Sequence, residues 1–301
     1  MNIVVFGAGS VGSLVGGLLA RERSNDVTLV GRDPHISAIQ RSGLEIRGEL
    51  EASTTPAATT DGRHLEGDLA IVTVKSFDTV AAARTLATGS FDAVLSLQNG
   101  LGNEATIETH LECPVLAGTA SYGAILVEPG LVECTGIGEV VLGARDGGKS
   151  RRADEVGALF DSAGLETTVD EEMPCRLWEK LAVNTGINPV TALTRTDNAA
   201  VLEDEARPLA RGVVRETART ARASGISLSN REALTALESV ASDTAANTSS
   251  MHQDVLAGQR TEIDSLNGYV VDQSAKVGVE TPMNHSLTSL VRTWERGKGL
   301  R

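Results

Sequence analysis

The chain has 301 residues, enough for two domains at about 150 residues each, and it is 41% hydrophobic and 22% charged, the balance of a soluble globular protein with ample core. Lys and Arg number 27 against 40 Asp and Glu, a net charge of -13, which argues against nucleic acid or an acidic membrane surface as the main partner. The basic residues are 22 Arg and 5 Lys, beside 36 Ala and 31 Gly. Such a surface suits a high-salt cytoplasm, and biased genome composition accounts for it about as well. Cys113, Cys134 and Cys175 are odd in number and widely spaced, which argues against a disulfide framework or a zinc site and fits a reducing compartment. The five histidines form no ligand-like pair, so no metal is expected. Glycines interrupt the apolar N-terminus, no basic segment precedes it, and no run of about 18 apolar residues occurs, so a cytoplasmic address is expected.

In chain order, Asn2 to Phe6 is a continuous apolar run that predicts a strand buried on both faces. A glycine turn follows, then Leu14, Val15, Leu18 and Leu19 at helical spacing. Asp26 to Val30, Asp68 to Val74, Asp92 to Leu97 and Pro114 to Gly118 predict further strands, the alternation of a parallel sheet with crossover helices. Ala124 to Val127 and Leu131 to Thr135 flank Glu128-Pro129-Gly130 as an antiparallel hairpin, and Glu139 to Gly143 adds another antiparallel strand. Arg151 to Ala163 predicts a helix closed by Gly164, and Leu165 to Val169 an edge strand. Beyond about Asp170 only helical periodicity remains, in Arg176 to Thr185, Pro208 to Ala223, Arg231 to Ala241 and Thr261 to Lys276. The expected organisation is an α/β domain over residues 1–168, a doubly wound sheet with antiparallel additions, and an all-α domain over 169–301.

The loop Gly7-Ala8-Gly9-Ser10-Val11-Gly12 follows a predicted strand and opens a predicted helix. Gly7 permits the tight turn, Gly9 lets the backbone approach a pyrophosphate, and Gly12 allows close helix–strand packing. The free N–H groups of the helix then face the phosphates. Where an acidic residue would accept from the ribose 2′-OH of NAD, the chain has Val30-Gly31-Arg32, whose guanidinium can instead hold a 2′-phosphate; Asp33 comes one residue late. The expectation is therefore NADP. Lys75 closes the third strand on the side where open sheets bind ligands. Asn99, at the end of the fourth, is either a turn residue before Gly100 or an amide reaching nicotinamide or substrate.

Lys180, Asn184 and Asn188 lie at i, i+4 and i+8 and share one helical face. Asparagine is a poor choice for a merely solvated stripe, and an ammonium with two amides suits an anionic, oxygen-rich small molecule. Asn188 precedes Pro189, which predicts a helix end or kink there. Ser250 with Gln253 has the spacing of a capping box, and a cap can also contact a carboxylate. Thr261-Glu262-Ile263-Asp264 repeats that pattern, leaving Glu262 open as a dipole-complementing residue or a functional one.

Taken together, GAGSVGS at the N-terminus, VKSFDT around Lys75, LQNGLGNE around Asn99, LWEKLAVNTGINPVTAL, SSMHQD and TEIDSLNG resemble the ketopantoate reductase family nearly end to end. The resemblance implies a Rossmann domain followed by a helical domain like that of 6-phosphogluconate dehydrogenase, and NADPH-dependent reduction of 2-dehydropantoate to pantoate in pantothenate and coenzyme A synthesis. It implies Lys180 as general acid, Glu262 as its partner and a contact to the substrate hydroxyl, and Asn99, Asn184, Asn188 and Ser250 around the substrate. Asn198 matches a further substrate asparagine, with departures in its neighbours, and Arg32 and Lys75 would meet the 2′-phosphate. The implied partner is a small molecule, with a homodimer left open. The alternatives are an NAD(P)-dependent reductase of another 2-oxo acid, or an NADPH-binding sensor without turnover.

Overall fold

The computed structural model describes residues 1–301. The chain divides into two compact units, one made of Met1–Gln98 and Gly102–Met173, the other of Asn99–Leu101 and Pro174–Arg301. The first opens with β1 (Asn2–Phe6), α1 (Ser10–Leu19), β2 (Asp26–Val30) and α2 (His35–Ser42), then the short strands β3 (Leu44–Gly48), β4 (Ala52–Thr54), β5 (Ala57–Thr59) and β6 (Glu66–Gly67). It continues with β7 (Leu69–Val72), α3 (Thr79–Leu86), β8 (Ser90–Phe91), β9 (Val94–Ser96), α4 (Asn103–Glu108) and β10 (Val115–Ala120). The strands β11 (Gly123–Glu128), β12 (Leu131–Gly136) and β13 (Val140–Ala144), then α5 (Arg151–Ser162) and β14 (Thr167–Val169), complete it.

The main sheet has the order β14-β13-β10-β9-β7-β1-β2-β5. Its pairings are parallel except β10 with β13. From β5 to β10 this is the doubly wound order, and the connections reverse direction between β1 and β7, where such sheets take ligands. Apolar side chains cover both faces. Leu14, Val15, Leu18 and Leu19 of α1 pack with Ile3, Val5 and Leu29, while Val4, Phe6 and Val72 pack with Ala83 and Leu86 of α3.

The expected hairpin forms, in a wider setting. β12 also pairs in parallel with β3, which pairs with β4, so the hairpin belongs to a four-stranded sheet β11-β12-β3-β4. The strand β3 alternates buried Leu44 and Ile46 with exposed Glu45 and Arg47, a period too short to stand out in the sequence. Two strands end early. β7 stops at Val72 because the chain leaves β1 at Gly7, and the Val74 carbonyl accepts from Gln98 Nε2 at 3.0 Å instead of from a strand. Lys75 therefore lies three residues past its strand, and Asn99 three past β9.

The second unit is helical: α6 (Met173–Thr194), α7 (Arg207–Ala223), α8 (Asn230–Asp243), α9 (Ser250–Leu256), α10 (Tyr269–Val277) and α11 (Pro282–Gly297). A 3₁₀ turn spans Asn198–Leu202 and a π-helical turn Asp264–Gly268. Of the helix end or kink expected at Asn188, the end does not occur, and α6 runs on through Pro189 to Thr194. Proline cannot donate to the carbonyl four residues back, that of Thr185. Asn267 Nδ2 from the π-helical turn does so instead, at 3.1 Å, and also donates to Asn284 Oδ1 at 3.0 Å. No helix is long and apolar enough to cross a membrane.

Asn267 is fully buried, so Asn267→Leu strands two acceptors without solvent. At 1–3 kcal/mol for each, the loss should be about 2–6 kcal/mol. Trp178 and Trp294 both belong to the second unit, so urea unfolding followed by tryptophan fluorescence reports on it. A parent-like midpoint would show that the Thr185 carbonyl does not depend on Asn267.

Candidate active site

In the first unit, the glycine loop hangs from the ends of β1 and β2. The N–H groups of Gly7 and Ala8 both donate to the Val30 carbonyl, at 2.9 and 2.8 Å. Thr73 Oγ1 donates to the Gly7 carbonyl at 2.8 Å. The three glycines are bare for different reasons. Gly7 has φ +117°, and a Cβ there would lie 2.6 Å from Val74 N. A Cβ on Gly12 would lie 2.2 Å from the Gly7 carbonyl oxygen. Gly9 has ordinary φ, -90°, and a Cβ there would meet nothing nearer than 4.0 Å. Packing thus demands Gly7 and Gly12, whereas a bare Gly9 keeps open the space before the N-terminus of α1. No side chain caps that end, so the first-turn N–H groups, from Ser10 and Val11 onward, are available to an anion. An open cradle beside an uncapped helix fits a dinucleotide pyrophosphate.

Arg32 stands two residues past β2 and is exposed. Asp33 Oδ1 accepts from Ser37 N at 3.2 Å and from Ser37 Oγ, so this carboxylate is engaged with the first turn of α2. His35, buried, ties the loop helix to the hairpin: its Nε2 meets Ser13 Oγ at 2.9 Å and its Nδ1 accepts from Gly130 N at 3.0 Å. Burial lowers its pKa. Lys75, half-buried, precedes a 3₁₀ turn over Ser76–Asp78.

In the second unit, α6 presents Lys180, Asn184 and Asn188 on successive turns. Beside Lys180, the Trp178 ring meets Tyr269 of α10 edge-on, with centroids 6.0 Å apart. Glu262, buried, accepts from Asn99 Nδ2 at Oε2, 3.4 Å. The Asn99–Leu101 loop is held to the same segment, for Leu101 N donates to the Ser265 carbonyl at 3.3 Å. Burial drags the Lys180 pKa down to about 8, opposed by the Glu262 carboxylate, which favours the charged ammonium. Asn99, Lys180 and Glu262 therefore form one electrostatic group.

Two turns beyond Lys180, Asn188 Nδ2 donates to Ser250 Oγ at 3.5 Å. The capping box expected on Ser250 is not formed. The cap is Ser249, whose Oγ accepts from His252 N at 3.2 Å and shares a hydrogen bond with Thr191 Oγ1 of α6 at 2.7 Å. Ser250 becomes the first helical residue, with its hydroxyl toward Asn188. The cap expected on Thr261 forms only in part: its Oγ1 accepts from Ile263 N at 3.3 Å and donates to Glu295 Oε1 at 2.7 Å, while its own N–H goes to Glu295 Oε1 at 2.8 Å rather than to Asp264. Asn198 is buried near the start of its 3₁₀ turn. Its Nδ2 donates to Thr244 Oγ1 at 2.9 Å and its N–H to the Asn247 carbonyl at 3.0 Å, which fastens the connector leading to Ser249. Sequence reasoning missed Thr73 and Glu295, which lie in no motif, and assigned no role to Ser265 and Asn267 within TEIDSLNG.

Two family models match, ketopantoate reductase PanE/ApbA over residues 3–147 and its C-terminal domain over 174–295. The chain belongs to the ketopantoate reductase family. It is 41% identical to the 2-dehydropantoate 2-reductase of Halobacterium salinarum, covering 98% of this chain and 99% of that one. It is 36% identical to that of Pyrococcus abyssi, covering 99% of each. Among solved structures, a PanE/ApbA family ketopantoate reductase from Ralstonia eutropha superposes with TM-score 0.91 at 31% identity, over 99% of this chain and 100% of that one. D-mandelate dehydrogenase with NADH and anilino(oxo)acetate superposes with TM-score 0.93 at 26% identity, over 100% of both. The protein is an oxidoreductase of Rossmann type.

The division of labour among the glycines is testable. Gly9→Ala should change folding stability by no more than about 0.5 kcal/mol, as at an unencumbered site, while weakening dinucleotide binding at least several-fold. Gly12→Ala should instead lower stability severely, since its Cβ would overlap backbone. Thermal melts and a fluorescence titration with NADPH separate the two effects. Undiminished NADPH binding by Gly9→Ala would remove the case for the cradle.

Proposed function

We propose that the protein reduces 2-dehydropantoate to pantoate with NADPH, in pantothenate and coenzyme A synthesis, with Lys180 as the proton donor. The observation that carries this reading is a half-buried, desolvated lysine in the field of the Glu262 carboxylate at the head of an Asn184–Asn188 face, in a chain 41% identical to a 2-dehydropantoate 2-reductase. Gly7, Ala8, Gly9, Ser10, Val11 and Gly12 would hold the pyrophosphate, and Arg32 with Lys75 the 2′-phosphate. Asp33, committed to Ser37, leaves Arg32 as the group at the end of β2 that addresses that position. When bound, the reduced nicotinamide supplies the hydride.

The protein's own residues then handle charge and protons. A ketone becoming an alkoxide needs a positive group and a proton at its oxygen. With a pKa of about 8, Lys180 is about nine-tenths protonated at pH 7, and it gives up its proton more readily than an ordinary lysine. Glu262 keeps that charge in place despite burial. Asn99, Asn184, Asn188 and Ser250 offer neutral donors to the carboxylate and hydroxyl of the substrate, adding no negative charge in a protein already at -13. Asn198 would support this face through the connector before Ser250.

A second reading, an NADH-dependent reductase of another 2-oxo acid, is favoured by the likeness to D-mandelate dehydrogenase with NADH and anilino(oxo)acetate. Competition among 2-dehydropantoate, 2-oxoisovalerate and an aromatic 2-oxo acid, with each cofactor, decides between them. On the NADPH reading, Arg32→Ala raises KM for NADPH and leaves NADH almost unchanged. Equal effects on both would show that Arg32 does not read the phosphate.

Lys180→Ala should lower kcat by roughly 10²–10⁴, the yield of a positioned acid, with NADPH affinity unchanged. Glu262→Gln should cost less or comparably, and the double variant should not add the two losses. Because the acid must be protonated, kcat/KM for 2-dehydropantoate should fall as pH rises through about 8. Stopped-flow NADPH oxidation reads all three. A folded Lys180→Ala enzyme that reduces 2-dehydropantoate at the parent rate ends the assignment.

A further inference from the structure

We propose that Glu295 of α11 is a positioning residue for the Glu262–Lys180 pair, anchoring the backbone immediately before Glu262. This rests on the reading of Lys180 as proton donor. Glu295 is fully buried, at 0% exposure, yet carries a carboxylate. Its Oε1 accepts from both the N–H of Thr261, at 2.8 Å, and the hydroxyl of Thr261, at 2.7 Å. Its Oε2 accepts from Arg301 Nε at 2.8 Å. Arg301 also pairs with Asp264, which in addition accepts from Arg292 Nε at 2.8 Å and Arg260 at 3.3 Å. Two carboxylates and three guanidinium groups thus clasp the segment on either side of Glu262.

The segment needs outside anchors. Between Thr261 and Gly268 the regular helical ladder gives way to the wider π-helical turn, with Gly268 N bonded to the Ile263 carbonyl at 2.9 Å. Such turns occur often at functional sites. A shift of Thr261 would carry Glu262 with it, and Glu262 is the charged group that acts on Lys180. On α6 itself, Arg176 and Glu179 pair with each other at 3.8 Å. An apolar side chain at 295 could fill the space without the desolvation cost of a buried carboxylate, which amounts to several kcal/mol. What an apolar side chain could not do is grip both polar groups of Thr261. The specific gain from the charge is therefore the placement of the residue that follows.

The test reads the titration of Lys180 directly, without turnover. In the full-length protein, trace acetylation of Lys180 at a series of pH values, quantified by mass spectrometry, gives its midpoint. Glu262→Gln sets the benchmark, since losing that carboxylate lowers the midpoint. Glu295→Gln should shift the midpoint in the same direction, by on the order of half a unit or more. The double variant should go no lower than Glu262→Gln alone. In the same variant kcat for 2-dehydropantoate should fall while KM for NADPH holds. Thr261→Val keeps the shape but removes the hydroxyl, and should give a smaller shift even if Glu295→Gln fails to fold. Parent-like titration of Lys180 in a folded Glu295→Gln protein, or in Thr261→Val where that is the variant that folds, overturns the inference. If Lys180→Ala keeps full turnover while these midpoints move, the assignment of the acid fails and the positioning stands.

Discussion

Pro189 leaves the Thr185 carbonyl without its helical donor, and the way that vacancy is filled organises the second unit. A buried, unsatisfied carbonyl costs about 1–3 kcal/mol, so α6 needs a donor from elsewhere at that point. Asn267 provides it, and Asn267 lies in the π-helical turn that follows Glu262. A single amide therefore ties the helix bearing Lys180, Asn184 and Asn188 to the segment bearing Glu262. Thr191, two residues past the proline, reaches Ser249 and so fastens the helix that starts with Ser250. The polar face of α6 is surrounded by segments whose positions are set by hydrogen bonds to α6 itself.

A different constraint acts in the first unit, where backbone approaches backbone. Gly7 and Gly12 are forced by the fold, because any side chain would collide with Val74 or with Gly7 itself. Gly9 is not forced, and this makes it the informative member of the motif. Where a fold tolerates a side chain and the sequence omits one in front of an uncapped helix, ligand access supplies the physical reason for the omission. The structure thus separates a ligand signal from a packing signal that the three-glycine pattern alone combines.

The parts of the fold legible in the sequence were those whose stability comes from apolar periodicity. β1, β2 and α1 have unbroken or helically spaced aliphatic residues, and they form where the pattern places them. The helix α11 escaped such a reading because its buried stripe, Asn284, Leu287, Thr288, Val291 and Glu295, is more polar than apolar. Its start was still signalled by Pro282 at the first turn. The continuation of α6 past Pro189 was illegible for a related reason, since the compensating donor lies 78 residues further on, at Asn267. Caps were misplaced by one residue or assigned to hydroxyls with tertiary partners. Ser249 rather than Ser250 caps its helix while also bonding Thr191, and Thr261 gives its N–H to Glu295 instead of closing a box with Asp264, so local motifs shift where tertiary partners compete. Of the candidate site, the α6 face and Glu262 were readable from spacing and family resemblance. The supports of those residues were not, because each acts on a carbonyl or N–H distant in sequence.

Desolvation and charge also compete at Lys180, which is half-buried. Burial alone disfavours the ammonium, and taken further it would leave a neutral amine with no proton to give at neutral pH. A carboxylate alone would hold the proton too firmly, keeping the group near the ordinary lysine range. At Lys180 the two act against each other and leave a pKa of about 8, near neutral pH, where a general acid of the kind proposed is most effective. That balance depends on separation, because Coulombic attraction changes steeply over an ångström in a medium of low dielectric. Burial is set by the bulk of the fold and tolerates small shifts, whereas the opposing contribution depends on where one flexible carboxylate sits. The hydrogen bonds concentrated on Thr261, Asp264, Ser265 and Asn267 therefore fall on the variable to which the proposed chemistry is most sensitive.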